Sequence, residues 1–264
     1  MPKLKHLKTI ISASIEAGKE ILKVYRTSFN VEYKEDNSPL TMADKNAHNV
    51  IISFLNDTTI PILSEEGSYI SYEERKNWSL LWVVDPLDGT KEFVKRNDEF
   101  TVNIALVENG IPVMGVVYAP VLDLLYVGAE SLGAYRIKNA STIDNITGEL
   151  INENRLPLST TQHYFGVVAS RSHLNEETEL FIDKLRKQHE DIKIVSIGSS
   201  LKLCMVAEGA ADIYPRFAPT MEWDTAAGDA VVRASGGKTL IANTKNNLQY
   251  NKENLLNPWF IVSR

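Results

Sequence analysis

Apolar residues recur at helical intervals from the start of the chain: Leu4, Leu7, Ile11 and Ile15 fall on one face and predict a first amphipathic helix, with helical patterning from Ile10 to Tyr25. A second helical stretch, Ala43 to Leu55, follows the polar segment VEYKEDNSPLTMAD. The period then changes. The apolar run Leu80 to Val84 reads as a buried strand, and FTVNIALVENGIPVMGVVYAP and LLYVGAESLGAYRI are rich in β-branched and aromatic residues. Asn109-Gly110 supplies a hairpin turn, because both residues accept positive φ. Together these segments predict an antiparallel sheet with helices stacked against it.

Between Lys138 and Arg155 no apolar period is sustained, which marks a junction. Beyond it the pattern alternates: strand YFGVVAS, helix Glu176 to Gln188, strand IKIVSIG, helix Ser200 to Glu208, strand ADIYPRF. A helix in WDTAAGDAVVRASGG and the strands KTLIA and WFIVS complete the series. The expected organisation is an N-terminal α+β half, residues 1–145, and a C-terminal α/β half, residues 146–264, packed as layers.

Composition narrows the function. The chain has 264 residues, 44% of them hydrophobic, enough for a large core. A net charge of −6 leaves no basic stripe for polymeric nucleic acid, so any anionic ligand must be met by local cations or by metal ions. The single cysteine, Cys204, excludes an internal disulfide, fits a reducing compartment and sits in SLKLCMVAEG as a small core hydrophobe. Lys3, Lys5 and Lys8 open the chain, but Glu16 and Lys19 break the apolar stretch and no run approaches a membrane span. A helix packed on the core is expected there, with peripheral contact at a membrane surface as the alternative.

The candidate chemistry begins at WVVDPLDGT, where the apolar run stops at Asp85 and a second carboxylate, Asp88, follows. Pro86 fixes φ and Gly89 permits a sharp turn, so the two acids are expected to converge just beyond the strand end. Unpaired, they would repel one another; a magnesium ion between them removes the conflict. An acidic turn that caps a helix is the plainer alternative. Glu65 and Glu66 in ILSEEG, and Asp224 in MEWDTAAGDAVV, are separately ordinary: a solvated loop and a helix cap. Taken together these acids suffice for two ions sharing a bridging ligand, an arrangement suited to phosphate ester hydrolysis. Gly89, Thr90 and the residues after them would present backbone N–H groups to a phosphate.

These residues resemble a known family. WVVDPLDGTKEF and EWDTAAGDAVVRASGG are similar to the two signatures of the inositol monophosphatase superfamily of magnesium-dependent, lithium-sensitive phosphatases, and LSEE and SPLTMAD match its other acidic segments in order. The resemblance implies that family's layered αβαβα sandwich, with the site in the cleft between the halves. It implies that Glu65, Asp85 and the Leu87 carbonyl hold one magnesium, that Asp85, Asp88 and Asp224 hold a second, and that Thr90, oriented by Asp44, helps activate water. Two or three ions fit the pattern. By the residues alone Asp44 would read as a helix cap before KNAHNVII.

GSSLKLCMVAEGAADIYPRFAPTMEWD and ASRSH resemble the bacterial CysQ-type branch, the 3'(2'),5'-bisphosphate nucleotidases that convert adenosine 3',5'-bisphosphate to AMP. The branch implies that Ser199, Lys202 and Arg216 meet the phosphate that is not hydrolysed, with His173 near the nucleotide. The physical reading agrees, since a second phosphate needs cations away from the metals and Arg216, on a strand edge just before a turn, offers a planar fork. Inositol phosphate would call for acids there. The resemblance further implies a cytoplasmic role in clearing a by-product of sulfate activation, a monomer or homodimer, and a lid in KEDNSPL. An inositol or sugar phosphatase, and a non-catalytic nucleotide-binding protein, are the competing functions.

Overall fold

The structure, a computed structural model, describes residues 2–27, 32–33, 39–40, 42–158, 164–169 and 175–264. Its helices are α1 (Pro2–Tyr25), α2 (Met42–Leu55), α3 (Tyr72–Arg75), α4 (Thr90–Lys95), α5 (Glu176–Arg186), α6 (Leu201–Glu208) and α7 (Glu222–Ala234). Its strands are β1 (Glu32–Tyr33), β2 (Pro39–Leu40), β3 (Ile62–Ser64), β4 (Leu80–Asp88), β5 (Thr101–Glu108), β6 (Ile111–Ala119) and β7 (Leu124–Ala129). They continue with β8 (Gly133–Lys138), β9 (Phe165–Val168), β10 (Ile192–Val195), β11 (Ile213–Arg216), β12 (Lys238–Ile241) and β13 (Phe260–Ser263).

Strands β3 to β8 form a six-stranded sheet in sequence order. Its β4 to β8 part is antiparallel, and Asn109 and Gly110 both adopt the positive φ required of them at the β5–β6 turn. The expected antiparallel sheet is found in these strands, and a further edge strand, β3, joins it running parallel to β4. Three residues are too short a run for their period to be read. Strand alternation sorts the side chains into two faces. Trp82, Val84, Ile104, Leu106, Val116 and Tyr118 pack with the apolar stripes of α1 and α2. Leu81, Val83, Ala105, Val107, Val117 and Ala119 point the other way, to α6 and α7.

The second sheet, five-stranded in the order β10-β9-β11-β13-β12, is mixed: β9 pairs in parallel with β10 and β11, while β13 is antiparallel to both of its neighbours. Val168, Tyr214, Phe260 and Val262 face α6 and α7, whereas Val167 packs with Ile182 and Leu185 of α5 on the outer face. The layers are therefore helix, sheet, helix, sheet, helix. The middle layer comes close to the first sheet because β6 and β7 lack side chains where α7 crosses: a Cβ on Gly128 would stand 2.5 Å from Val231 Cα, and one on Gly115 2.7 Å from the Ala227 carbonyl oxygen.

Two further readings are refined. The junction after Lys138 folds as short 3-10 turns at Ala140–Thr142, Ile146–Glu149 and Asn152–Asn154. Helix α1 begins well before Ile10, since Leu7 and Ile10 are as buried as Ile11. No helix among the described residues is long and apolar enough to cross a membrane.

Candidate active site

Strand β4 does not stop at Val84 but carries the chain through Asp85, Pro86 and Leu87 to Asp88. In a regular strand, residues three apart face opposite ways. Here Asp85 stands opposite Asn103 and Asp88 opposite Thr101, so β4 holds one residue more than β5 and bulges. Pro86, with no N–H to lend to a ladder, lies in the bulge. The extra residue re-aims Asp88 to the side of Asp85, and the expected turn beyond the strand end is corrected to a bulge within it. Asp85 is buried, and one of its carboxylate oxygens accepts the Leu87 N–H at 3.0 Å.

The other acids arrive by separate routes. Ser64 pairs with Val84 in the parallel register, and the Glu65 N–H donates to the Val84 carbonyl at 3.1 Å, which sets Glu65 beside Asp85. Asp44 is buried in the first turn of α2. Asp224 is the third residue of α7 and not its N-cap, which is Met221; its carboxylate reaches back to accept the Met221 N–H at 2.9 Å, so the plain reading of Asp224 as the cap residue itself is corrected, and the same side chain faces the other acids. Burial first, then the charges of Glu65, Asp88, Asp224 and Asp44, push the Asp85 carboxyl well above the usual range. Asp224 is pushed up to about 8 by burial and by Asp88, with the Met221 N–H pulling the other way.

Asp44, Glu65, Asp85, Asp88 and Asp224 thus form one electrostatic cluster of hard oxygen donors, the donor chemistry that suits magnesium. The Leu87 carbonyl adds another and accepts the Thr90 hydroxyl at 3.5 Å. Among the described residues no three such side chains close on a single point as they stand. The residues fit a divalent cation by donor type and by charge.

Beside the acids lies a cavity of about 60 Å³ lined by Asp88, Ser199, Lys202, Tyr214, Arg216 and Asp224, among others. Lys202 is buried, and that burial pushes its ammonium down to about 8 against the pull of Asp88; its Nζ donates to the Ser199 carbonyl at 2.7 Å. Arg216 donates through Nη2 to the Pro219 carbonyl at 2.9 Å, while its Nε is buried without a protein partner. Arg216 is the last residue of β11, at the end of its strand as expected, and β11 itself is interior to the sheet, between β9 and β13. Gly89, at φ 92°, precedes α4, and a Cβ there would meet Ser199 Cβ at 3.2 Å. Thr90 follows as the first residue of α4.

His173 lies outside the described residues, as do most of ASRSH and of the KEDNSPL segment. Two residues that sequence reasoning passed over, Ser200 and Asn103, stand against Asp88. The Ser200 N–H donates to Asp88 Oδ2 at 2.6 Å, and the Asn103 amide donates to the Ser200 hydroxyl at 2.8 Å. The only available signal was a serine before an apolar helix, which reads as a cap, yet Ser200 caps nothing in its own helix.

The chain resembles known proteins over nearly all of its length. The 3'(2'),5'-bisphosphate nucleotidase CysQ of Salmonella typhimurium is 44% identical over 268 residues, spanning 97% of this chain and 99% of the relative. The CysQ of Escherichia coli strain K12 is 45% identical over 252 residues, spanning 94% of this chain and 95% of the relative. The crystal structure of CysQ from Bacteroides thetaiotaomicron, described as a bacterial member of the inositol monophosphatase family, superposes with a TM-score of 0.91 at 50% identity, covering 98% of this chain and 97% of that one. The model of the inositol monophosphatase family matches residues 4–259. Matched by the family model over residues 4–259 and by relatives over nearly all of its length, this chain belongs to the inositol monophosphatase family.

Proposed function

We propose that this chain is a 3'(2'),5'-bisphosphate nucleotidase that removes the 3'-phosphate of adenosine 3',5'-bisphosphate, giving AMP and phosphate, with magnesium as its cofactor. The observation that carries this reading is the cavity in which Asp88 and Asp224 face Lys202 and Arg216. A substrate with two phosphates needs two kinds of surroundings: acids that gather cations around the reacting group, and fixed cations for the group that stays. The relatives named above carry the same activity in their names.

In this reading Glu65, Asp85 and the Leu87 carbonyl hold one ion, and Asp85, Asp88 and Asp224 hold another. Bound magnesium supplies charge stabilisation at the phosphoryl oxygens and makes water a competent nucleophile near neutral pH. Thr90, at the start of α4, orients that water, its hydroxyl turned by Asp44. The Gly89–Thr90 backbone borders the reacting phosphate. Arg216 turns its unpartnered Nε to the retained phosphate, and Lys202 adds a second positive charge while bracing the Ser199 carbonyl. Ser199 lines the same cavity, and His173 is assigned to the nucleoside end. The activity is placed in the cytoplasm, where a by-product of sulfate activation would arise.

The test is phosphate release from adenosine 3',5'-bisphosphate and from inositol 1-phosphate, side by side, with magnesium and with a chelator. Magnesium-dependent turnover of the nucleotide alone is expected. Preference for inositol 1-phosphate would overturn the substrate, and no release from either would overturn the enzymatic reading.

A further inference from the structure

Asp88 is held by several protein donors on one carboxylate oxygen. Its Oδ2 accepts the Ser200 N–H at 2.6 Å, lies 2.7 Å from the Ser200 hydroxyl and is 3.4 Å from the Asn103 amide nitrogen. Asn103 and Ser200 are each 1% exposed, so neither can exchange these partners for solvent. The orientation of the Asn103 amide is fixed by Asp88: an ionised carboxylate only accepts, so Nδ2 faces it and Ser200, and Oδ1 is left to accept from the Thr101 hydroxyl at 3.1 Å.

The Ser200 hydroxyl has one proton and three neighbours. It receives the Asn103 amide at 2.8 Å, and lies 2.7 Å from Asp88 Oδ2 and 2.6 Å from the Asp224 carbonyl oxygen. A charged carboxylate is the stronger acceptor, so the proton goes to Asp88, and Asp88 Oδ2 is filled by protein donors. Asp88 then has only Oδ1 to offer outward. Asn103, Ser200 and Asp224 thereby join β5, the start of α6 and the first turn of α7 around Asp88 at the end of β4.

We infer that Ser200 and Asn103 are positioning residues that lock Asp88 into one-oxygen coordination, presenting Oδ1 to the cation and setting its distance from Asp224. This inference rests on the reading of Asp88 as a metal ligand. The role is that of outer partners in metal sites generally, whose loss weakens binding by about 10- to 100-fold.

Titration of the purified full chain with manganese(II) alone, followed by the electron paramagnetic resonance signal of the free ion, tests it without any turnover. Asp88→Asn is the control and abolishes one binding event. Ser200→Ala, which keeps the backbone N–H, is expected to weaken that same event by about 10- to 100-fold with an unchanged circular dichroism spectrum, and Asn103→Ala to weaken it in the same direction. The magnesium concentration for half-maximal activity rises in parallel, while the KM for substrate at saturating magnesium does not move. If Asp88→Asn binds manganese like the wild type, the metal-ligand reading fails. If Asp88→Asn loses the ion while Ser200→Ala, or Asn103→Ala where Ser200→Ala does not fold, binds it as tightly as the wild type, the positioning role fails and the reading stands.

Discussion

Replacing Asp224 by asparagine should make the metal-free protein more stable while removing its response to magnesium. Asp224 sits among like charges, and raising a carboxyl from 3.8 to about 8 corresponds, at about 1.4 kcal/mol per pH unit, to a ceiling of about 6 kcal/mol. The folded state binds this proton more tightly than the unfolded chain does, so stability from this group falls as pH rises between about 4 and about 8. At neutral pH the ceiling is nearer 4 kcal/mol, part of it belongs to the coupling with Asp88, and Asp224 is only partly buried. A net gain of about 1–3 kcal/mol is expected, because asparagine removes the charge yet still accepts the Met221 N–H. For a chain of this size that raises the melting temperature by about 2–10 °C. The assay is thermal melting in chelator from pH 4.5 to 8, then with millimolar magnesium at pH 7.5. The advantage of Asp224→Asn should grow with pH, and the wild type should overtake it when magnesium is added, since bound ligand stabilises only the state that binds it. A variant less stable than wild type at pH 7.5 in chelator, or one with an undiminished magnesium increment, would refute the reasoning.

Two other substitutions probe different parts of the molecule. Arg216→Ala should raise the KM for adenosine 3',5'-bisphosphate by about 10- to 100-fold, the worth of a charge-assisted hydrogen bond of about 1.5–3 kcal/mol, and leave the KM for a monophosphate little changed; equal effects on both would remove the second-phosphate role. Gly128→Ala places a Cβ 2.5 Å from Val231 Cα, where only backbone can yield, and should destabilise by about 1–3 kcal/mol in thermal melts. Because α7 carries Asp224, the same variant should need more magnesium for half-maximal phosphate release, and an unchanged requirement would separate that helix's packing from the site.

The layers were legible wherever the apolar period was long. β-Branched and aromatic richness through β5 to β8 and the Asn109-Gly110 turn marked four strands, and the helical patterns of α1, α2 and α7 were also legible. Short elements carried too little pattern: β3 was seen only as an apolar run, and its parallel pairing with β4, which sets Glu65 beside Asp85, is a tertiary fact. Pro86 concealed the continuation of β4, because proline ordinarily argues against strand, and only the pairing with β5 exposes the bulge. The acids were found as residue types in suggestive places. Their convergence depends on one bulge, one parallel register and one helix start far along the chain. Ser200 and Asn103 were invisible for another reason, since their role lies in partners distant in sequence and neither residue type is unusual in its setting.

The middle layer has a mechanical consequence. Helix α7 touches β4 to β8 on one side and β12 on the other, and α6 alongside it reaches β6, β9, β11 and β13. The pair acts as a keystone, because a swing of one sheet away from the other would pull these helices off a surface packed almost without side-chain clearance at Gly115 and Gly128. The carboxylates of β4 and α7 are thus mounted on a layer that both sheets share, and drawing the sheets apart would cost that layer its buried contacts.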